Sequence, residues 1–236
     1  MDPVAILPKW LKRMAREYLE RRGFTRVLDR SKADTIWIDV GAHLGEITLD
    51  AALGNPRLIV FAFEPNWTLA RQIMGRAANF VVLPMAVSDI DGFADFFINS
   101  SDVSSSLVGM EESGLAHWKD LDLTIHSKVV VPTIRLDTFM RLCDLRRVDY
   151  LKVDAEGVDL KVVQSAGDRL KDIREIKLEV DVAPDRLYRG APSREEVIKL
   201  MVSWGYKLVD SELQSDGRQE NLTFARASGG LGLAER

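Results

Sequence analysis

A chain of 236 residues, 46% hydrophobic and 29% charged, has enough apolar side chain for one α/β core and enough charge to keep that core in water. A net charge of −4 offers no basic excess for a nucleic-acid footprint, and the single cysteine, Cys143, excludes an internal disulfide or a thiolate zinc cluster. No apolar stretch approaches the roughly 20 residues of a membrane span, and no apolar run ends in a small-residue cleavage site near the N-terminus, so a cytoplasmic location is expected.

Residues 1–32 read as a helical extension, with Trp10, Met14 and Tyr18 on one stripe of a surface helix. A single domain then covers residues 33–226. Its first strand is 35–40 (TIWIDV), a short β-branched run closed by glycine, and a helix is expected over 45–53. Strand 58–63 (LIVFAF), helix 66–76 and strands 80–85 and 93–98 follow. Such continuous apolar runs suit a parallel sheet covered on both faces. From 99 to 127 the pattern breaks into serines and glycines, which reads as a lid-like insertion. Regularity returns with strand 129–132, helix 135–143 (Cys143 as a buried apolar thiol), strand 148–154, helix 158–166 and strand 173–180. Ser193-Arg194-Glu195-Glu196 is a capping-box signature that starts a helix over 193–204. Segments 206–210 and 221–226 have no helix between them and read as an antiparallel hairpin. The Gly/Ala-rich stretch 227–236 reads as a flexible tail.

The chemistry starts where the first strand ends. Asp39-Val40-Gly41-Ala42-His43-Leu44-Gly45 puts two glycines in a strand-to-helix turn, where the backbone can bend and a ligand can approach without a Cβ in the way. The helix after it would offer free N–H groups and a positive dipole end. Glu64 ends the second strand, nineteen positions after Gly45. A carboxylate there is acceptor-only and suits ribose hydroxyls, a reading the glycine turn favours over a solvated acid before Pro65. These features alone fit an adenosyl cofactor or NAD equally.

The ordered set "IDVGAHLGEIT", "FAFEPN", "MAVSD", "IRLDTF" and "LKVDAEGVDLKVVQSAG" resembles the FkbM family of S-adenosylmethionine-dependent methyltransferases, from about Thr35 to Val180. The resemblance implies a Rossmann-like class I methyltransferase fold, a seven-stranded and mostly parallel sheet whose last strand is antiparallel. It implies that Asp39, Gly41, Ala42 and Gly45 surround the methionine part of the cofactor. Glu64 and Pro65 would lie at the ribose, and Ala86, Val87, Ser88 and Asp89 near adenine. Asp154 and Glu156 would stand at the catalytic end, with Asp154 also beside the cofactor. It further implies an O-methyltransferase acting on a hydroxyl of a small-molecule natural product, sugar or glycan.

The acids read from the residues alone leave three roles open. Asp154 and Glu156 are two apart at one strand end, and Glu179 and Asp181 two apart at the next, so each pair can share a face. They can supply a general base for the acceptor hydroxyl. Asp154, Glu179 and Asp181 can hold Mg²⁺ or a similar hard cation. They can also simply attract the sulfonium and hold substrate hydroxyls. Glu156, just before Gly157, also reads as an acid at a helix start, and Asp181 as solvated. His43 lies in the glycine turn and is a further candidate base, whereas His117 and His126 read as surface residues. The serines of 100–106 either bond a polar acceptor or the cofactor or belong to a flexible loop, and Trp118 either stacks on a sugar ring or pins the lid to the core. No G-x-S-x-G elbow accompanies them.

Two alternatives share the glycine turn and Glu64. A NAD-dependent dehydrogenase or epimerase would need a Tyr-x-x-x-Lys relay, and none of Tyr18, Tyr150, Tyr188 and Tyr206 has that lysine. A methyltransferase-fold protein doing non-methylating chemistry on S-adenosylmethionine is the other. A homodimer is compatible with either.

Overall fold

The computed structural model describes residues 33–115, 118, 122–183, 186–215 and 217–227. The expected N-terminal extension, His117 and the tail from 228 onward lie outside the described residues.

In chain order the elements are β1 (Thr35–Val40), α1 (Thr48–Gly54), β2 (Leu58–Phe63), α2 (Trp67–Ile73), β3 (Phe80–Leu83), β4 (Ala86–Val87), β5 (Gly92–Asn99), α3 (Glu112–Leu115), β6 (Ile125–Ile134), α4 (Leu136–Leu142), β7 (Tyr150–Val153), α5 (Asp159–Gln164), β8 (Glu175–Asp181), α6 (Arg194–Ser203), β9 (Tyr206–Leu213) and β10 (Gln219–Arg226). Seven strands form the main sheet in the order β3-β2-β1-β7-β8-β10-β9. All pairings are parallel except those of β10, which runs antiparallel to both β8 and β9. This is the expected Rossmann-like class I methyltransferase sheet. Among the described residues no helix is long and apolar enough to cross a membrane.

β2 shows why the strands read as unbroken apolar runs. All six of its residues are buried. Ile59, Phe61 and Phe63 enter one core cluster with Ile38 and Phe139, while Leu58, Val60 and Ala62 enter another with Leu49, Ile73 and Phe80. Alternate side chains point to opposite faces and both faces are covered, so neither can be polar. On the first face Phe139 of α4 meets Phe61 and Phe63 edge-on, with ring centroids 5.2 and 4.9 Å away.

Three expectations need correction. Strands β5 and β6 do not extend the parallel sheet but pair antiparallel with each other, with β4 beside β6, as a separate three-stranded sheet. β6 is also longer than expected, and most of its residues are exposed, so the apolar run at 129–132 marked a half-solvated strand. The first helix begins at Thr48, not Gly45, because His43 (φ 48°) and Gly45 (φ 73°) are left-handed and cannot open a right-handed helix. Cys143, expected to be buried, is half-buried at the end of α4.

The sheet order reverses between the central strands β1 and β7, from which the chain builds outward in opposite directions, to β2 and β3 on one side and to β8 on the other. Ligands of open α/β sheets bind beyond the carboxyl ends of the strands at such a point. Gly41 and Asp154, the residues after β1 and β7, touch there. A Cβ on Gly41 would lie 1.7 Å from the Asp154 carbonyl oxygen, so only glycine fits.

Candidate functional site

A cavity of about 400 Å³ opens at this crevice. Asp39, Gly41, Ala42 and His43 form its wall after β1, Glu64 and Pro65 after β2, Ala86 and Val87 from β4, Lys152, Asp154 and Glu156 from β7 and its loop, and Glu179 from β8. Val103, Ser104, Ser105, Leu107 and Trp118 line it from the irregular segment. Of the residues expected at the site, Gly45, Ser88, Asp89 and Asp181 are not on the cavity wall. Gly45 packs against Leu49 and Phe80. The Ser88 hydroxyl turns to Asp89, whose carbonyl accepts from Arg135. Asp181 accepts from the Leu187 N–H.

Glu64 organises one end. Its Oε2 accepts from the His43 N–H at 2.8 Å and its Oε1 from the Asn66 N–H at 2.7 Å. It therefore ties the β1 turn to the start of α2, a role invisible in its sequence position. Burial pushes its carboxyl up to about 7, against the pull of those two donors. A carboxylate has about four lone-pair sites, so two remain for a ligand. His43 faces the cavity, and its ring Nδ1 lies 2.7 Å from Glu46 Oε1.

Acids crowd the other end. Asp154, Glu156 and Glu179 each bring a carboxylate oxygen within 4.8 Å of the others. Glu156 takes the place expected for Asp181 in that group. The three are held differently. Asp154 accepts from Lys152 Nζ at 3.3 Å. Both oxygens of Glu179 accept side-chain amides, from Gln214 and Gln219. Glu156 has the Tyr188 hydroxyl beside it, which donates to the Ser104 carbonyl at 3.0 Å. Burial, then the neighbouring Asp154 charge, hold the Glu156 carboxyl well above the usual range, and burial with Glu156 does the same to Glu179. Glu156 is also left-handed, with φ 54°, a conformation rare and costly outside glycine. The Ser106 hydroxyl grips it there by donating to its backbone carbonyl at 2.6 Å. Gly157 must follow, because a Cβ would strike the Tyr188 side chain, 2.2 Å from its Cβ and 2.5 Å from the ring's Cγ.

Sequence reasoning missed Lys152, Tyr188, Asp159, Gln214 and Gln219. Asp159 opens α5 and accepts from the N–H groups of Ala155 and Gly157, fixing the loop that carries Glu156. Burial raises its carboxyl to about 7. The serines, left open between acceptor contacts and loop chemistry, divide. Ser106 and Ser104 are buried structural anchors, and Ser104 and Ser105 reach the cavity wall whereas Ser106 does not. Trp118 packs with Leu123, Leu187, Tyr188 and Ala191, and the Arg218 guanidinium lies 4.3 Å over its ring. His126 is exposed, as expected.

Strand order and a crevice lined by a glycine turn, a buried acid after β2 and acids after β7 define a class I methyltransferase fold. Residues 39–208 match the profile of the methyltransferase FkbM domain, and the chain belongs to that family. No curated protein sequence matches it. Among solved structures it is similar to a magnesium protoporphyrin IX methyltransferase from Synechocystis PCC 6803 with bound SAM, at 8% identity and a TM-score of 0.46, over 92% of this chain and 82% of that one. It is also similar to a precorrin-6y C5,15-methyltransferase from Geobacter metallireducens GS-15, at 14% identity and a TM-score of 0.45, over 84% and 82%.

Proposed function

We propose that the protein transfers the methyl group of S-adenosylmethionine to a hydroxyl oxygen of a small-molecule natural product, sugar or glycan, in the cytoplasm. The observation that carries this reading is the division of one cavity between a ribose-type acceptor, Glu64, and a carboxyl trio at the opposite end.

The residues fit the cofactor. Glu64 retains two acceptor sites for ribose hydroxyls, beside Pro65. Gly41 lets the turn after β1 pack against the Asp154 backbone, where a Cβ would collide, and Asp39, Gly41 and Ala42 line the cavity where they can surround the amino-acid end. Ala86 and Val87, both buried, give an apolar wall for the base. When bound, the cofactor supplies a sulfonium methyl open to displacement by an oxygen nucleophile.

Glu156 is assigned the proton of the acceptor hydroxyl. Asp154 is paired with Lys152, and Glu179 has both oxygens on amides, so neither is as free to take a proton. A carboxyl raised by burial and neighbours is also a stronger base once ionised. The same amides leave Glu179 poorly placed as a cation ligand, which favours proton handling over metal binding. The carboxyl trio of Asp154, Glu156 and Glu179 disfavours phosphate-bearing acceptors and so favours a neutral hydroxyl.

The test has two arms. Purified protein should bind S-adenosylhomocysteine and move radiolabelled methyl from S-adenosylmethionine to hydroxylated acceptors. Glu156→Gln should lower turnover by about 10²–10⁴-fold with cofactor affinity unchanged. Wild-type protein that ignores S-adenosylhomocysteine, or a Glu156→Gln variant as active as wild type, would sink the reading.

A further inference from the structure

Lys152 sits on β7, its side chain 16% exposed, wedged between the acids that close β1 and β7. Its Nζ lies 3.3 Å from each of three oxygens: Asp39 Oδ1, the Gly41 carbonyl and Asp154 Oδ2. An ammonium has three N–H donors and no acceptor. All three are directed to the chain's own oxygens, so none is left for a ligand, although the side chain lines the cavity. Lys152 is therefore placed to hold the site rather than to touch what binds in it.

What it holds is specific. Asp39 is buried beside it and takes the Thr48 hydroxyl on its other oxygen. Gly41 is left-handed at φ 72° and lies against the Asp154 carbonyl. The ammonium thus joins a buried carboxylate, the bend of the glycine turn and the acid after β7 at the point where the sheet order reverses. Without it, Asp39 and Asp154 would share a low-dielectric crevice with no cation between them. Burial alone would push the Lys152 ammonium down, but the two carboxylates outweigh it and hold its pKa above the ordinary lysine value.

We propose that Lys152 is a positioning residue for the amino-acid end of the cofactor, fixing the Asp39–Gly41 turn and Asp154 at the spacing that end requires. This rests on reading the cavity as an S-adenosylmethionine site, with the amino-acid end at Gly41 and the sugar at Glu64. The ammonium bonds Asp39, Gly41 and Asp154 and not Glu64, so the clamp should matter more for the amino-acid end than for the sugar.

The experiment is calorimetric titration of the full chain with two probes. S-adenosylhomocysteine carries the amino-acid end, and methylthioadenosine keeps the adenosyl sulfur without it. Lys152→Met keeps the length of the side chain and removes its donors. It should lose at least about tenfold in affinity for S-adenosylhomocysteine (about 1.4 kcal/mol), while methylthioadenosine stays within about twofold of wild type. Lys152→Arg, which keeps the charge, should recover part of the loss. Equal weakening of both probes would show a general structural role and overturn the proposal, as would unchanged binding of both. If Lys152→Met does not fold, Lys152→Gln, with donors but no charge, carries the same comparison. Wild-type protein that binds neither probe would instead defeat the cofactor reading itself, a distinct result.

Discussion

Glu64 is the residue whose chemistry follows most directly from its surroundings. It is 5% exposed, receives the N–H groups of His43 and Asn66, and faces the His43 ring and Asp39. Burial raises its carboxyl to about 7, so it titrates near neutrality. Ribose hydroxyls donate, and the ionised carboxylate accepts them best. Protonation turns one of its oxygens into a donor. Affinity for S-adenosylhomocysteine should therefore rise with pH up to about 7 and fall below it, by as much as about tenfold per unit. Titrations at pH 6, 7 and 8 check this. Glu64→Gln should bind more weakly throughout and show a flatter profile, which separates Glu64 from His43 and Asp39. A wild-type affinity that does not change over that range would remove Glu64 from the ribose site.

At the scale of elements, α6 shows local chemistry deciding structure. The Ser193 hydroxyl accepts from the Glu196 N–H while the Glu196 carboxylate accepts from the Ser193 N–H, the reciprocal box that the sequence predicts. Ser193→Ala should cost about 1 kcal/mol, read as a lower melting temperature, with S-adenosylhomocysteine affinity unchanged because α6 contributes nothing to the cavity wall. An unchanged melting temperature would mean the box is not formed. Elements of this kind were legible because their signals are local: β-branched runs for β1 and β2, the box for α6, glycine after β1. The small β4-β6-β5 sheet was not, because apolar content alone does not say which strand a run will pair with. β5 also carries exposed Phe93, and β6 exposed Val130. The site divides the same way. Glu64, Gly41 and the Asp154–Glu156 pair stood out from their positions beside strand ends. Lys152 looked like an ordinary strand lysine, and Tyr188 and Gln219 come from distant segments. Their roles depend on pairing β8 with β10 and β7 with β1, which no local window contains.

For the whole molecule, the acids set how stability depends on pH, and two groups of them pull in opposite directions. Asp137 and Glu220 sit against Arg135 and Arg194, which hold their carboxyls below the usual range. Their contribution is present above the ordinary carboxylate pKa and is lost as pH falls below it. Around the cavity the sign reverses. Burial raises Glu64 and Asp159 to about 7, and raises Asp39, Glu156, Glu179 and Asp181 as well. These groups favour the folded state while protonated, and that contribution is lost as pH climbs through their raised pKa values, about 7 for Glu64 and Asp159. Shifts of this size are worth on the order of 3 kcal/mol each for Glu64 and Asp159. The ligand-free protein should then be most stable near pH 5 and melt about 10 °C lower at pH 8 than at pH 5.5. S-adenosylhomocysteine should raise the melting temperature more at pH 8, where it takes over hydrogen bonds to an ionised Glu64 that burial otherwise penalises. Calorimetric melts at both pH values, with and without that ligand, decide the matter. A melting temperature that rises from pH 5.5 to 8 would mean that the cavity acids are solvated, and the crowded carboxyl trio would lose its basis as a proton acceptor.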